Sequence, residues 1–318
     1  MKKKYWITWH HQARSRFLAK EFNLELKECF YNKNVFQRHF YSFFWTINIL
    51  RKGKPDVIFI QLSFLLSILT VLYKKLSSKE IRVIADCHTK ALRRTATGFL
   101  GNIFWEVKKW TFRNIDYSIV SNDGMKSDIE TLTVNYWILP DKIPDFQMTE
   151  KTNQDLYCVY ISSFAVDEPI KEIVEMARLL PTKITVYWTG KKPDSVILEN
   201  PPSNLKLTGY TSYEDYVNLI TNSQCIIGLT TEDDCLQSGA YEALGVEVPM
   251  VLTDSEALRS FFGDSAIYTD HKPEKIAKAI MEVMENKEEM MPKLQRIKTL
   301  RNAEFDELKK TIVEYVNN

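Results

Sequence analysis

The segment Asp234-Cys-Leu-Gln-Ser-Gly-Ala-Tyr-Glu242 places two carboxylates eight positions apart around a Ser238-Gly239 pair. A strand-like CIIGLT run precedes it and PMVLTD follows it, so a short helix is expected to start near Ser238 or Gly239. The first amides of a helix have no intrahelical acceptor and sit at the positive end of its dipole, which suits a diphosphate. Gly239 would let a ligand approach the backbone closely. Glu242, one turn in, has the reach and chemistry to accept hydrogen bonds from a ribose diol. Asp234 and Leu236 lie in the preceding loop, where Asp234 could hold sugar hydroxyls. A plainer reading stands beside this one. With Gly239 as N-cap, Glu242 falls at N3 and does no more than cap the helix and complement its dipole. Asp234 is then an ordinary solvated carboxylate.

A second group follows the strand-like VIAD: Asp86 and His88, both general-base candidates for an acceptor hydroxyl. Their structural alternatives are a carboxylate that orients a loop and a packed, hydrogen-bonded histidine. The first strand-to-helix loop carries His10, His11, Arg14 and Arg16. His11 and Arg14 are candidates for acceptor binding, because a guanidinium grips phosphate through two parallel bonds. Arg14 lies nearer the strand end than Arg16, which suits a solvated helix face. The paired histidines lack a third ligand at metal-site spacing, so no metal is expected. No Walker loop, GxGxxG motif, Ser-His-Asp arrangement or Asp-x-Asp motif occurs.

Strand-like apolar runs alternate with helical ones along the whole chain. YWITW precedes ARSRFLAKEF, LELKECF precedes a long aromatic helix, and DVIFIQ precedes LLSILTVLYKKL. RVIADCH precedes an amphipathic segment from about Leu92 to Asn114, then come YSIVSN and NYWILP. Such alternation predicts βαβ units and parallel sheets. Residues 141–155 hold Pro144 and many polar residues, the pattern of a linker. The rhythm then resumes from LYCVYISS to AIYT and ends in two long helical segments, about 273–316. The fold class is α/β, with two Rossmann-like doubly wound domains facing across a cleft. The first spans 1–140 and the second 156–300, with 301–318 a helix packing back on the first. Ligands in open parallel sheets bind beyond the carboxyl ends of the strands. All the residues singled out above lie there.

The 318 residues are 45% hydrophobic and 26% charged, enough for two packed cores. Five scattered cysteines read as reduced thiols. The N-terminus has no apolar run of signal-peptide type. The most apolar stretch, 62–73, is too short to span a bilayer and is expected to be a buried helix. The net charge of +1 hides an asymmetry: residues 1–140 carry 23 Lys and Arg against 11 Asp and Glu. The remainder carries 19 against 30. A basic half beside an acidic one fits an anionic surface or substrate, or ordinary solvated surface. ALRRTATGFLGNIFWEVKKWTFRNI mixes cations with aromatics, either as a helix lying on an anionic membrane or as a crossover helix with one buried face.

The stretch DCLQSGAYEALGVEVPMVLTD resembles the signature region of group 1, family 4-like glycosyltransferases with the two-domain GT-B architecture. ISSFAVDEP (161–169), ADCHTKAL (85–92) and WHHQARSRFLAKEFN (9–23) resemble segments of the β-mannosyltransferase of dolichol-linked glycan assembly and its bacterial relatives. The resemblance implies a nucleotide-sugar substrate held by Glu242 at the ribose, by the Ser238 and Gly239 amides at the phosphates, and by Asp234 near the reacting carbon. It also implies diphosphate contacts from Ser162, Ser163 and Phe164, and backbone contacts to the base near Gly209 and Tyr210. The family's usual Arg after the first strand of the second domain is absent; Lys191 or Lys192, after the next strand, is its expected substitute, with the backbone amides at Ser162 to Phe164 sharing the task. The implied acceptor is a lipid-linked saccharide, and the implied setting is the cytoplasm or the inner membrane face. No cofactor and no nucleic acid are expected. An epimerase of the same architecture and a non-catalytic donor-binding subunit are the alternatives.

Overall fold

The computed structural model describes residues 2–31, 34–94, 96–147, 156–196, 198 and 200–318. These residues form two compact units, Met1–Asp141 with Phe305–Asn318, and Lys142–Glu304.

Unit 1 runs β1 (Lys4–Thr8), α1 (Ala13–Glu21), β2 (Glu25–Glu28), α2 (Val35–Gly53), β3 (Val57–Gln61) and α3 (Phe64–Leu76). It continues with β4 (Arg82–Asp86), α4 (Thr89–Leu92), α5 (Gly98–Asn114), β5 (Tyr117–Val120), α6 (Lys126–Glu130) and β6 (Tyr136–Ile138). All six strands are parallel, in the order β2-β1-β3-β4-β5-β6. The chain changes direction across the sheet at β1, and the βα loops there form a topological switch point.

Every residue of β3 is buried, as expected of a strand covered on both faces. Successive side chains alternate between two cores. Ile7, Ile58 and Val83 join Leu50 of α2, Val71 of α3 and Phe112 of α5. Trp6, Phe59 and Ile84 join Leu18 of α1 and Phe305, Ile312 and Val316 from the end of the chain. These last three belong to α12 (Lys287–Asn317), which enters unit 1 at residue 305. Lys309 pairs with Glu21 at 2.5 Å, and the Arg82 guanidinium lies 4.7 Å from the Tyr315 ring centroid.

Unit 2 contains β7 (Tyr157–Tyr160), α7 (Ile170–Leu179), β8 (Thr185–Thr189), β9 (Leu205–Gly209), α8 (Tyr213–Thr221) and β10 (Cys225–Gly228). There follow α9 (Ser238–Val246), β11 (Met250–Thr253), α10 (Glu256–Phe262), β12 (Ala266–Thr269) and α11 (Pro273–Glu285). Its parallel sheet has the order β12-β11-β10-β7-β8-β9, with the switch point where β7 meets β10. Ile173 of α7 and Ile280 of α11 pack on one face of the sheet. Leu244 of α9, Phe262 of α10 and Leu294 of α12 pack on the other.

Three expectations change. Residues 142–147 are not a free linker, because Ile143 is buried in the second core of unit 2. A Cβ on Gly245 would meet the Pro144 carbonyl oxygen at 2.7 Å, so this segment lies tightly on α9. The rest of the expected linker, 148–155, falls outside the described residues. The amphipathic segment from Leu92 is broken, and α5 begins only at Gly98, after extended backbone at Arg93 and Thr97. Finally, α3 is not a buried helix. Leu66, Leu69 and Val71 face inward, while Leu65, Leu72 and Leu76 are exposed. Among the described residues, no helix is long and apolar enough to cross a membrane.

Because the tail of α12 completes one face of the unit 1 sheet, Ile312→Ala should cost about 2–5 kcal/mol, as for other buried aliphatic truncations. A urea unfolding curve measures it. A loss under about 0.5 kcal/mol, the size of a surface substitution, would show that the tail is not part of that core.

Candidate functional site

The switch point of unit 2 opens into a cavity of about 630 Å³. It is formed by the loop after β7, the ends of β8 and β9, the start of α8 and the head of α9. Of the residues expected to hold a nucleotide sugar, Ser162, Ser163, Gly209, Tyr210, Leu236, Ser238, Gly239 and Glu242 line it. Phe164, Lys191 and Asp234 do not.

The head of α9 is the most exacting part. Its N-cap is Gln237, whose backbone is extended and whose side chain makes no cap bond. That side chain instead donates from Nε2 to the Leu229 carbonyl at 2.7 Å. The bond turns its Oε1 the other way, where it is buried without a hydrogen-bond partner among the described residues. Buried acceptors of this kind are costly unless something donates to them. Gln237 lines the cavity, so a ligand hydroxyl is the natural donor. Gly239 is required by its own neighbours as well: a Cβ there would meet Ile161 Cβ at 3.0 Å.

Glu242 is the fifth residue of α9, not the third, so the capping reading fails. Its carboxylate accepts a short hydrogen bond from the hydroxyl of Tyr216, on α8. Burial raises the Glu242 pKa above the ordinary carboxylate value, and the Tyr216 bond opposes this only in part. Burial and the same carboxylate push the Tyr216 phenol well up, so it stays a donor. A desolvated carboxylate with one oxygen occupied keeps acceptor capacity for a diol.

The loop after β7 corrects a second expectation. The amides of Ser163 and Phe164 donate to the Glu168 carboxylate at 2.9 and 3.1 Å, and both serine hydroxyls bond to it. These amides hold an internal anion and are not offered to a diphosphate. Phe164 adopts φ 58°, and its buried ring stacks on Trp188 at 4.9 Å. Lys191 is exposed in the loop beyond β8. Asp234 lies in the turn before α9, outside the cavity lining. The lining residues include Asp167, Glu168 and Glu242 but no Lys, Arg or His. Within unit 2, the electropositive groups that the cavity lining offers are therefore the Ser238 and Gly239 amides at the positive end of the α9 dipole.

The strand ends of unit 1 gather the other predicted residues. Arg14 Nε lies 3.1 and 3.3 Å from the two Asp86 oxygens. Its Nη1 meets Asp141 at 2.5 Å, and its Nη2 the Leu139 carbonyl at 2.8 Å. Burial alone would lower the Arg14 pKa, but the two carboxylates outweigh it and hold it above its ordinary value. Arg14 is thus spent on the protein, and fully buried Asp86 is spent on Arg14. The guanidinium has no fork left for an acceptor phosphate, and both carboxylate oxygens face that guanidinium instead of a ligand. His88 differs. It is half-buried, with Nε2 at 2.9 and 3.1 Å from the side-chain Nε2 and Oε1 of Gln12. His11 is exposed, with its ring 5.5 Å from that of Phe30.

Sequence reasoning missed Tyr216, Gln237, Glu168 and Asp141. Gln237 adjoins the Ser-Gly pair and could have been read as the N-cap. Tyr216 and Asp141 carry no local signal, because each acts on a residue far away in the chain.

No family model matches the chain, and no curated protein matches it in sequence. Solved structures match it along nearly its whole length. Anabaena HepE in complex with UDP gives a TM-score of 0.75 at 9% identity, covering 99% of each chain. A glycosyltransferase from Rickettsia africae gives 0.69 at 10% identity, covering 99% of this chain and 98% of that one. A putative UDP-N-acetylglucosamine 2-epimerase from Listeria monocytogenes gives 0.60 at 11%, covering 92% and 91%. The likeness establishes the fold: two Rossmann-like units in the GT-B arrangement of sheets and helices.

Two substitutions separate the structural from the ligand-facing roles. A carboxyl whose pKa is raised on folding contributes stability that is complete below its ordinary value and is lost as pH climbs through the raised one. Glu242→Gln should therefore match the parent in acid and match or exceed its melting temperature at neutral pH. Its affinity for a nucleoside diphosphate should fall about tenfold to a hundredfold, the worth of a hydrogen bond to a charged group. Thermal melts with and without UDP across pH 4–8 measure both; a lower melting temperature with unchanged affinity contradicts this. Arg14→Met strands Asp86 without its cation and should cost about 3–5 kcal/mol. A urea curve superimposable on that of the parent would return Arg14 to the pool of ligand-binding residues.

Proposed function

We propose that the chain is a glycosyltransferase. It takes a sugar from a nucleoside-diphosphate donor bound at the unit 2 switch point and transfers it to an acceptor hydroxyl bound by unit 1. The observation that carries this is the half-buried, partly desolvated Glu242 carboxylate in a cavity headed by an uncapped helix. Glu242 accepts from the ribose diol, with Tyr216 orienting it. The Gln237 oxygen accepts another hydroxyl, and the Ser238 and Gly239 amides meet the diphosphate. As the glycosidic bond to the diphosphate breaks, negative charge grows on the leaving oxygen. Preorganised amides stabilise that charge without reorganising. Gly209 and Tyr210 border the base, and Asp234 is a candidate for sugar hydroxyls. His88 is the base candidate on unit 1, with His11 on the acceptor side. The shared fold with a UDP-bound protein supports the donor class.

The acceptor in this reading is a saccharide carried on a lipid, presented at the cytoplasmic face of a membrane during polysaccharide or glycan assembly. The excess of Lys and Arg in residues 1–140 and the exposed Phe36, Phe40 and Phe44 of α2 support it. A second reading, donor binding without transfer, draws on the absence of a lining cation and on the engagement of Asp86 by Arg14.

The test incubates the protein with uridine- and guanosine-diphosphate sugars, with and without a lipid extract of membranes. The expected result is release of nucleoside diphosphate only when extract is present, abolished by Glu242→Gln. An altered sugar without extract would make the protein an epimerase. Tight nucleotide binding with no turnover under any condition would make it a donor-binding subunit.

A further inference from the structure

Unit 1 holds a second cavity, well away from its strand-end residues in character. It has a volume of about 310 Å³, within the range of small-ligand sites, and lies where α3 and α5 meet the segment after α4. Its lining is largely apolar, with Leu62, Phe64, Phe104, Trp105 and Phe112, and the Phe64 and Phe104 rings meet edge-on at 5.4 Å. Two cations, Arg94 and Lys108, belong to the same lining. Lys108 Nζ donates to the carbonyls of Ala91 at 2.9 Å and Arg93 at 3.0 Å. An ammonium has three donors, so one remains. Burial lowers the Lys108 pKa, which marks an ammonium short of solvent and not matched by a carboxylate.

The helices that wall the cavity also carry exposed apolar side chains: Phe99 on α5 is 79% exposed, and Leu100 and Ile103 of α5 and Leu65 of α3 are exposed too. Exposed apolar side chains grouped on one helix mark an interaction site. Lysines and arginines beside it point to an anionic lipid surface over a neutral partner. The apolar part of the lining favours hydrocarbon over water.

We propose that this cavity takes the hydrocarbon chain of an anionic single-chain lipid, with its phosphate held between Lys108 and Arg94 at the mouth. The proposal deepens the transferase reading, since a lipid-linked acceptor has both parts. It rests on that reading only for its use in the reaction, because the binding itself needs no nucleotide.

The test uses the full chain and decyl phosphate below its micelle concentration, with 1-decanol and inorganic phosphate as partial ligands, followed by calorimetry. Decyl phosphate should bind saturably at one site, at least about tenfold tighter than decanol, and inorganic phosphate should not bind. Ala91→Leu, which fills the cavity, should remove decyl phosphate binding. Arg94→Gln and Lys108→Met should leave a site that no longer prefers the phosphate over the alcohol. UDP-dependent melting shifts are read on the same samples; their persistence in Ala91→Leu shows a folded protein and an intact unit 2 site. Should decyl phosphate bind Ala91→Leu as it binds the parent, the cavity is not the site. Sedimentation with phosphatidylglycerol vesicles that Ala91→Leu leaves unchanged, without saturable decyl phosphate binding, would replace the cavity by plain adsorption of the outer face. Failure of the UDP shift in every sample, with decyl phosphate binding intact, would overturn the transferase reading and leave this one standing.

Discussion

A carboxylate buried beside the open end of a helix is the constraint around which unit 2 is arranged. Glu242 is kept from water by α8 and α9, yet it has no cation, only the Tyr216 hydroxyl. Desolvating such a group is expensive. The cost is tolerated where the carboxylate is needed as an acceptor in a dry place, and a cavity at the switch point is such a place. The same logic applies to Gln237. Its nitrogen is anchored to Leu229, and its oxygen is left buried and unmet. One unmet acceptor, one carboxylate with acceptor capacity to spare and two uncapped amides at one helix head make a surface complementary to a polyhydroxylated anion.

Electrostatic economy separates the two switch points. At unit 1, Arg14 bridges the carboxylates of Asp86 and Asp141 and ties three chain segments together. The knot is structural, and it leaves His88 with Gln12 as the adaptable polar pair. At unit 2, Glu168 folds back over the Ser163 and Phe164 amides and fills a nest that would otherwise attract phosphate. One strand end thus uses a buried ion pair to set its shape and the other uses an internal carboxylate. In each case some of the predicted residues, Arg14 and Asp86 at one and the Ser163 and Phe164 amides at the other, are engaged by the chain itself.

Much of the fold was legible in the sequence because alternating apolar runs obey local rules. All twelve strands lie in or beside the runs that predicted them, and the strand-end loops held most of the candidate residues. The site was legible only where it is continuous in sequence. Ser238, Gly239 and Glu242 fall within five residues of one another, and all three line the cavity. Tyr216 reaches Glu242 from 26 positions away, and Asp141 reaches Arg14 from 127. No periodicity or spacing encodes such meetings. Phe164, Asp86 and Arg14 misled for the converse reason: residue type and position at a strand end suggested function, while packing had already claimed them.

The last helix ties the order of synthesis to the order of folding. Met290 and Leu294 of α12 fill cores of unit 2, whereas Phe305, Ile312 and Val316 close a face of the unit 1 sheet. A domain emerging first from the ribosome usually completes itself first. Here Trp6, Phe59 and Ile84 are covered in part by Leu18 of α1 and the adjoining Phe22, but that core is completed only once residues Phe305–Asn318 have been made. Nascent chains of this protein thus carry an incompletely covered sheet until that distant segment emerges.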